Sequence, residues 1–253
     1  PPHEAVEWPT GREGTSPGVV RLVIPAGVTH IRELQYAHIR KVYPNAEIIV
    51  IPDSVLTMGR GALKCLPQLK SVVIGNSLKT IPTNAFYGCK KLDHVTIGDS
   101  VVTIESHAFE LCTALTSVTF GLSVKTIGAE AFYKCATLAS VTFPNSVEKI
   151  GGSAFRSCTA LVSVAFGDSV KGLEIGSWAF AAAALANVVL PDSVTSVGWG
   201  AFDQVHREDG TSSGIPCHVS VPAALITALG GNRWIQTNKL IETLASSRIT
   251  VRP

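Results

Sequence analysis

At 253 residues, with 46% hydrophobic and 16% charged side chains, the chain is long enough for a substantial core and less charged than an average soluble domain. A formal net charge of +2 without a basic run gives no electrostatic footing for nucleic acid, and no stretch approaches the ~18 consecutive apolar residues that insert into a membrane. The chain opens Pro1-Pro2 without a methionine, so a trimmed start is expected and a missing leader carries no information.

In chain order, residues 1–18 are rich in Pro and Gly without periodicity and read as an extended N-terminal arm. Trp8 is its candidate anchor, on the rest of the chain or on a partner. A repeat then begins. Residues 19–45 form a long first unit whose segment 31–42 has helical spacing at Ile31, Leu34 and His38, suiting an N-terminal cap. Further units start near 46, 69, 92, 115, 138, 161 and 185, the last ending at 205. That makes about eight, most of them 23 residues long, with one inserted residue around 172–174. A fixed period of this size is the signature of a solenoid, and its continuity predicts one domain over 19–205.

Within the unit, apolar residues recur at positions 1, 4, 6, 10, 13, 17, 18 and 21, which in 138–160 are Leu138, Val141, Phe143, Val147, Ile150, Ala154, Phe155 and Cys158. Positions 4 and 6 alternate with polar 3 and 5, the period-2 pattern of a half-buried strand. Pro or Gly at position 7 and usually Asp or Asn at position 8 end that strand with turn chemistry. The Asp/Asn column is read as a turn cap in preference to a calcium ladder. A second apolar pair follows at 10 and 13, then Ala-Phe and Cys on an expected helical turn. One unit cannot bury its apolar face alone; stacked units bury a continuous core. Beyond 205, residues 206–216 read as an insertion loop, 217–222 as a strand, 223–229 and 238–245 as short helices and 248–251 as a last strand. Together 206–253 read as an insertion loop and C-terminal cap, with Trp234 as its apolar anchor.

The unit, L-x-x-V-x-I-P-x-S-V-x-x-I-x-x-x-A-F-x-x-C, resembles the leucine-rich repeats of the BspA-like family over about residues 19–221. The Ala-Phe pair recurs at Ala85-Phe86, Ala108-Phe109, Ala131-Phe132, Ala154-Phe155, Ala179-Phe180 and Ala201-Phe202. Leu63 stands for the Phe in one unit, and Ala183 and Val205 stand for the Cys in two others. The resemblance implies a leucine-rich-repeat solenoid of β-rich α/β class: a right-handed, curved stack of about eight units with a concave parallel sheet, capped at both ends. It further implies adhesion or binding, and favours a secreted or cell-surface location. The absence of an N-x-S/T sequon leans the other way for a eukaryotic protein.

The residue types that carry chemistry are present without the patterns that chemistry needs. Cys89, Cys112, Cys135 and Cys158 recur every 23 residues, and Ala or Val takes the same slot elsewhere, so they are expected to be free core thiols. Cys65 and Cys217 are expected to be buried too. No paired ligand spacing is present, the seven histidines are scattered over repeat positions, and no metal or cofactor is expected. Gly210-Thr211-Ser212-Ser213-Gly214 matches a nucleophile elbow in letters alone, since it lies in a polar loop. Adjacent Cys217 and His218 would point to opposite faces of a strand. The chain is therefore read as not an enzyme.

What remains is the outer side of the sheet. Positions 3 and 5, with position 2 beside them, make a small, neutral, hydroxyl-rich surface: Asp93, His94, Thr96, Ser117, Thr119, Ser140, Thr142 and Ser163 are its candidate contacts. The expected function is a protein–protein interaction module or a scaffold subunit of a larger assembly, with a cell-surface adhesin as one form of it. The partner is another protein, with no nucleic acid and no membrane insertion. The alternative is binding of a glycan or regular lattice through the Ser/Thr columns, against which the lack of aromatics on that face counts.

Overall fold

The computed structural model describes residues 21–33, 35–167, 172–203, 217–222 and 248–252. The expected arm with Trp8, the loop 206–216, the helices 223–229 and 238–245 and Trp234 lie outside the described residues. The first coil holds Arg21–Val23 (β1), His30–Ile31 (β2) and the helix Gln35–Val42 (α1). Coils two to five each carry two strands: Ile48–Ile51 (β3) and Thr57–Met58 (β4), Ser71–Ile74 (β5) and Thr80–Ile81 (β6), His94–Thr96 (β7) and Thr103–Ile104 (β8), Ser117–Thr119 (β9) and Thr126–Ile127 (β10). Coils six to eight repeat this with Ser140–Thr142 (β11) and Lys149–Ile150 (β12), Ser163–Ala165 (β13) and Leu173–Ile175 (β14), Asn187–Val189 (β15) and Val194–Val197 (β16). His218–Pro222 (β17) and Arg248–Arg252 (β18) follow.

Two narrow parallel sheets result. The first runs β1-β3-β5-β7-β9, then β11-β13, then β15-β17-β18; the second runs β6-β8-β10-β12-β14-β16, with β2-β4 as a separate pair. Register preserves the repeat, pairing Ser71 with His94, His94 with Ser117 and Ser140 with Ser163. Eight strand pairs from β1/β2 to β15/β16 make seven full turns of a solenoid, as the period requires. The single insertion expected around 172–174 is not what the register shows: β14 pairs Lys149 with Glu174 and Ile150 with Ile175, a spacing of 25, so two residues beyond the period enter before it, and the register shift where β14 meets β16 leaves Thr195 of β16 as the extra residue.

The third side of each coil departs from expectation. Ala-Phe and Cys lie on tight turns, not on a helical turn. Amide groups bond alternately back within the coil and forward to the next one: Ala85 N–H to the Pro82 carbonyl (3.1 Å), Phe86 N–H to Ala108 (2.8 Å), Tyr87 N–H to Asn84 (3.1 Å), Gly88 N–H to Glu110 (2.8 Å). An α-helix would keep all of these bonds inside the segment. The alternation needs left-handed residues at positions 16 and 20, seen at Asn84, His107, Glu130, Ser153 and Trp178, and at Gly88, Leu111, Lys134 and Ser157. The helix of the cap is also shorter than expected. Ile31 sits in β2 opposite Met58, and the buried residue of α1 is Ile39, with His38 half-buried.

Because most coils are bonded on all three sides, and the rest on two, equivalent side chains stack. Phe86, Phe109, Phe132, Phe155, Phe180 and Phe202 are fully buried, with successive ring centroids 5.0–5.4 Å apart and planes within 9°. Phe143 meets this column edge-on at Phe155, 5.6 Å away. Such aromatic pairs contribute roughly 0.5–1.5 kcal/mol beyond the area they bury. The Asp/Asn column caps turns across coils: Asp53 Oδ1 accepts from Asn76 N–H (2.6 Å), Asn76 Oδ1 from Asp99 N–H (2.8 Å) and Asp99 Oδ1 from Leu122 N–H (3.0 Å). Leu122 has no acceptor to pass on. Its coil is also where the first sheet's ladder first stops, between β9 and β11, before a second stop between β13 and β15. A Cβ at Gly98 or Gly121 would strike the carbonyl oxygen of the glycine one coil earlier, which explains the missing side chain there.

The cysteines complete the core. Cys89, Cys112, Cys135 and Cys158 are fully buried and free, and each thiol donates to the carbonyl of position 18 one coil earlier, at 3.2–3.3 Å. Cys217 is buried as expected, but Cys65 is only half-buried. Falling one place early, it takes the left-handed position 20 with φ 53°, and Leu66 fills the slot of the thiol column. Burial pushes Cys89, Cys158 and Cys217 up to about 12 from the ordinary 9.0. Burial first, and then neighbouring thiols, raise Cys112 and Cys135 as well.

Two outcomes are expected. Phe132→Ala opens a hole between Phe109 and Phe155 and should cost about 3–5 kcal/mol in urea unfolding, whereas Ser140→Ala should stay within about 0.5 kcal/mol. In native protein, Ellman's reagent should modify Cys65 ahead of the five buried thiols, which react on unfolding. The buried thiols keep their protons when the unfolded chain has lost them. Their contribution to stability is therefore intact below pH 9 and lost as pH rises toward 12, which thermal melts over that range would show.

Candidate functional site

The first sheet alternates by the strand period. Val72, Val95, Val141 and Val188 at position 4 are buried, while positions 3 and 5 face solvent. His94, Thr96, Ser117, Thr119, Ser140, Thr142 and Ser163 are all exposed and Asp93 is half-buried. Seven of these eight lie on strands, and Asp93 immediately precedes β7, so the backbone groups beneath the surface are held by the ladder. The surface is mixed along the stack. It carries the Lys70–Glu47 pair at 2.8 Å and exposes valines in early and late coils alike, Val23 and Val73 on β1 and β5, and Val162 and Val189 further on.

One group of predicted residues makes direct contact. His94 Nδ1 lies 2.7 Å from Ser117 Oγ, and His94 Nε2 lies 3.8 Å from Asp93 Oδ2. Thr116 Oγ1 donates to the Asp93 carbonyl at 3.0 Å. Serine, histidine and aspartate are thus in relay order, but the arrangement does not make a hydrolase. The aspartate is beyond hydrogen-bond distance. The imidazole is solvated, and the neighbouring amides Ser117 N–H and His94 N–H donate to the preceding strand, which leaves them unable to stabilise an oxyanion. Thr96, Thr119, Ser140, Thr142 and Ser163 form open columns without a pocket-like convergence. The serine motif 210–214 lies outside the described residues. Cys217 is buried at the start of β17 while His218 Nε2 lies 2.8 Å from Thr250 Oγ1, so the two side chains do separate.

Two clusters on the turn side escaped the sequence reading. Trp178 and Trp199 meet edge to face at 4.1 Å, Trp199 is exposed, and the Arg156 guanidinium lies 5.5 Å over the Trp178 ring. His107, expected to be isolated, has Nδ1 2.6 Å from Glu110 Oε2 and 3.6 Å from Glu130 Oε2. The available signal was positional: these side chains occupy positions 15, 16 and 19 of neighbouring units, which come together once the segment is a turn stacked on turns. A helical reading of 82–89 and its equivalents spreads them apart. No helix among the described residues is long and apolar enough to cross a membrane.

Comparisons with known proteins bear on this architecture. The family model for the BspA type leucine rich repeat region matches in six copies, over residues 18–136 and 79–208. Among solved structures, a leucine rich cell surface protein from Faecalibacterium prausnitzii is 23% identical, with a TM-score of 0.47, over 82% of this chain and 64% of its own. The chain thus spans less than two thirds of that protein's length. The T. pallidum leucine rich repeat protein is 27% identical, with a TM-score of 0.49, over 80% of this chain and 87% of its own. The pneumococcal vaccine antigen PcpA is 17% identical, with a TM-score of 0.34, over 79% and 71%. A search of curated proteins finds no match. Proteins of this family and fold are typically non-catalytic and suited to interaction or adhesion. With the repeat matched across most of its length, this chain belongs to the BspA-type leucine-rich repeat family.

Proposed function

We propose that the chain is a non-catalytic protein–protein interaction module that receives another protein on the outer face of its first sheet. Asp93, His94, Thr96, Ser117, Thr119, Ser140, Thr142 and Ser163 are the contacts, and Val162 and Val189 extend them over the later coils. One observation carries this reading: those side chains form exposed columns on strands whose backbone is already fixed, so little ordering is left for the binding step. Small side chains at positions 2, 3 and 5 let a partner's backbone approach closely. The exposed valines supply apolar area. Solenoids expose extended surfaces of this kind to their partners.

The module acts as an adhesin or as a scaffold subunit, and the family supports a cell-surface or secreted location. Regular hydroxyl columns also favour a second reading, binding of a glycan or a regular lattice. Trp178 and Trp199 lie on the turn side instead, so among the described residues the face lacks the aromatic platform such a ligand would stack on. The test is affinity purification from native extract with cross-linking mass spectrometry, using wild type, Thr119→Arg and Val162→Glu. One stoichiometric protein should cross-link from Lys70 or Lys125 and be lost, about tenfold or more, in both variants with the thermal midpoint unchanged. A partner retained by both variants would place binding elsewhere. Recovery of the bare chain, with hits on a glycan array, would favour the second reading.

A further inference from the structure

We propose that His107, Glu110 and Glu130 form a binding site for one divalent transition-metal ion, with Zn²⁺ as the representative that fits. The three residues come from two coils. His107 and Glu130 occupy position 16 of successive units and Glu110 occupies position 19 of the first. Their backbones are fixed by the turn ladder: His107 N–H donates to the Ala129 carbonyl at 3.0 Å, Glu130 N–H to Gly152 at 2.9 Å and Glu110 N–H to His107 at 3.3 Å. One ligand atom from each residue lies within 4.8 Å of the others, and all three residues are half-buried.

The contacts are not those of a simple ion pair. Two carboxylate oxygens converge on one ring nitrogen, Glu110 Oε2 at 2.6 Å and Glu130 Oε2 at 3.6 Å from His107 Nδ1. That nitrogen carries at most one proton and donates to one of them. The second carboxylate is aimed at a position it cannot use for a hydrogen bond. Charge points the same way. Both carboxylates have their ion pair with His107, so the cluster holds −1 with the ring protonated and −2 with it neutral, and the Glu110 side chain is only 13% exposed. A cation bound by all three removes that imbalance.

The donor set selects the class of metal. An imidazole nitrogen with two carboxylate oxygens suits zinc and its neighbours, whereas calcium and magnesium take oxygen ligands almost exclusively. Tetrahedral ligands about 2.0–2.2 Å from zinc stand roughly 3.4 Å apart. The Nδ1 to Glu130 separation is already close to this. The Nδ1 to Glu110 contact opens by somewhat under 1 Å as the ion takes the place of the shared proton. Solvent reaches the remaining side, leaving a place for water as the fourth ligand. Clamping two coils across the turn ladder, the ion would stabilise their junction by binding the folded state alone.

The test is calorimetric titration of Zn²⁺ into the metal-stripped full chain, alongside His107→Ala, Glu130→Gln and a distant control, His30→Ala. Expected is one ion per chain, a rise in thermal midpoint at saturation, and about tenfold or greater weakening in His107→Ala and in Glu130→Gln but not in the control. X-ray absorption at the zinc edge of the loaded wild-type chain should show a nitrogen and oxygen shell with one imidazole. The proposal is overturned by no saturable binding up to about 100 µM metal, by equal affinity in His107→Ala, or by a sulfur-containing shell. Glu130 is half-exposed and its amide is isosteric, so Glu130→Gln remains informative if His107→Ala folds poorly.

Discussion

The spacing of one coil on the next is the constraint from which everything else follows. Backbone bonds tie neighbouring coils on three sides, through two parallel ladders and a column of turns. That spacing is about 5 Å, close to the distance between bonded strands and to the separation of stacked rings. A side chain therefore meets its own counterpart above and below. Flat phenylalanines, branched aliphatics and compact thiols satisfy that condition, and each occupies its own column. Changes of residue are tolerated where they keep the column's width, as with Leu63 under the phenylalanines and Ala183 beside the thiols.

The same constraint explains how much of the fold could be read from sequence. The strand at positions 3–5, the second strand and the buried columns are all periodic features, and the period exposes them, whereas it marks only one of the two residues added ahead of β14. The turn segment reads as helical in sequence because Ala-Phe-x-x-Cys has the spacing of one helical turn. Its actual conformation depends on carbonyls 22 residues further along, which no local window contains. Cysteine is usually buried, which points Cys65 toward the core. Its shift by one residue moves it to a left-handed corner at the edge of the core.

The outer surface was legible in a different sense. Alternation places His94, Ser117, Thr119 and Ser140 on the exposed side, but it cannot show that His94 and Ser117 touch. Contacts between coils join residues 22 or 23 apart and need an exact register. The His107 group is the clearest instance. Three residues with no sequence motif become neighbours because two corners are stacked. In a solenoid, unlike a compact α/β enzyme, such groupings lie on the outside and are repeated or lost coil by coil.

The junction at Leu122 has a mechanical consequence. The first sheet loses its ladder between β9 and β11 while the second ladder continues through β10 and β12 and the turn column continues through Glu130 and Gly152. Two bonded edges and one open edge make a hinge line. It crosses the outer face between Thr119 and Thr142. Bending there changes the angle between the coil that carries Ser117 and Thr119 and the coil that carries Ser140 and Thr142. The ladder stops again between β13 and β15, so the array behaves as three stiff plates joined along two seams, able to fit curved surfaces that a uniformly laddered stack would meet only at its ends.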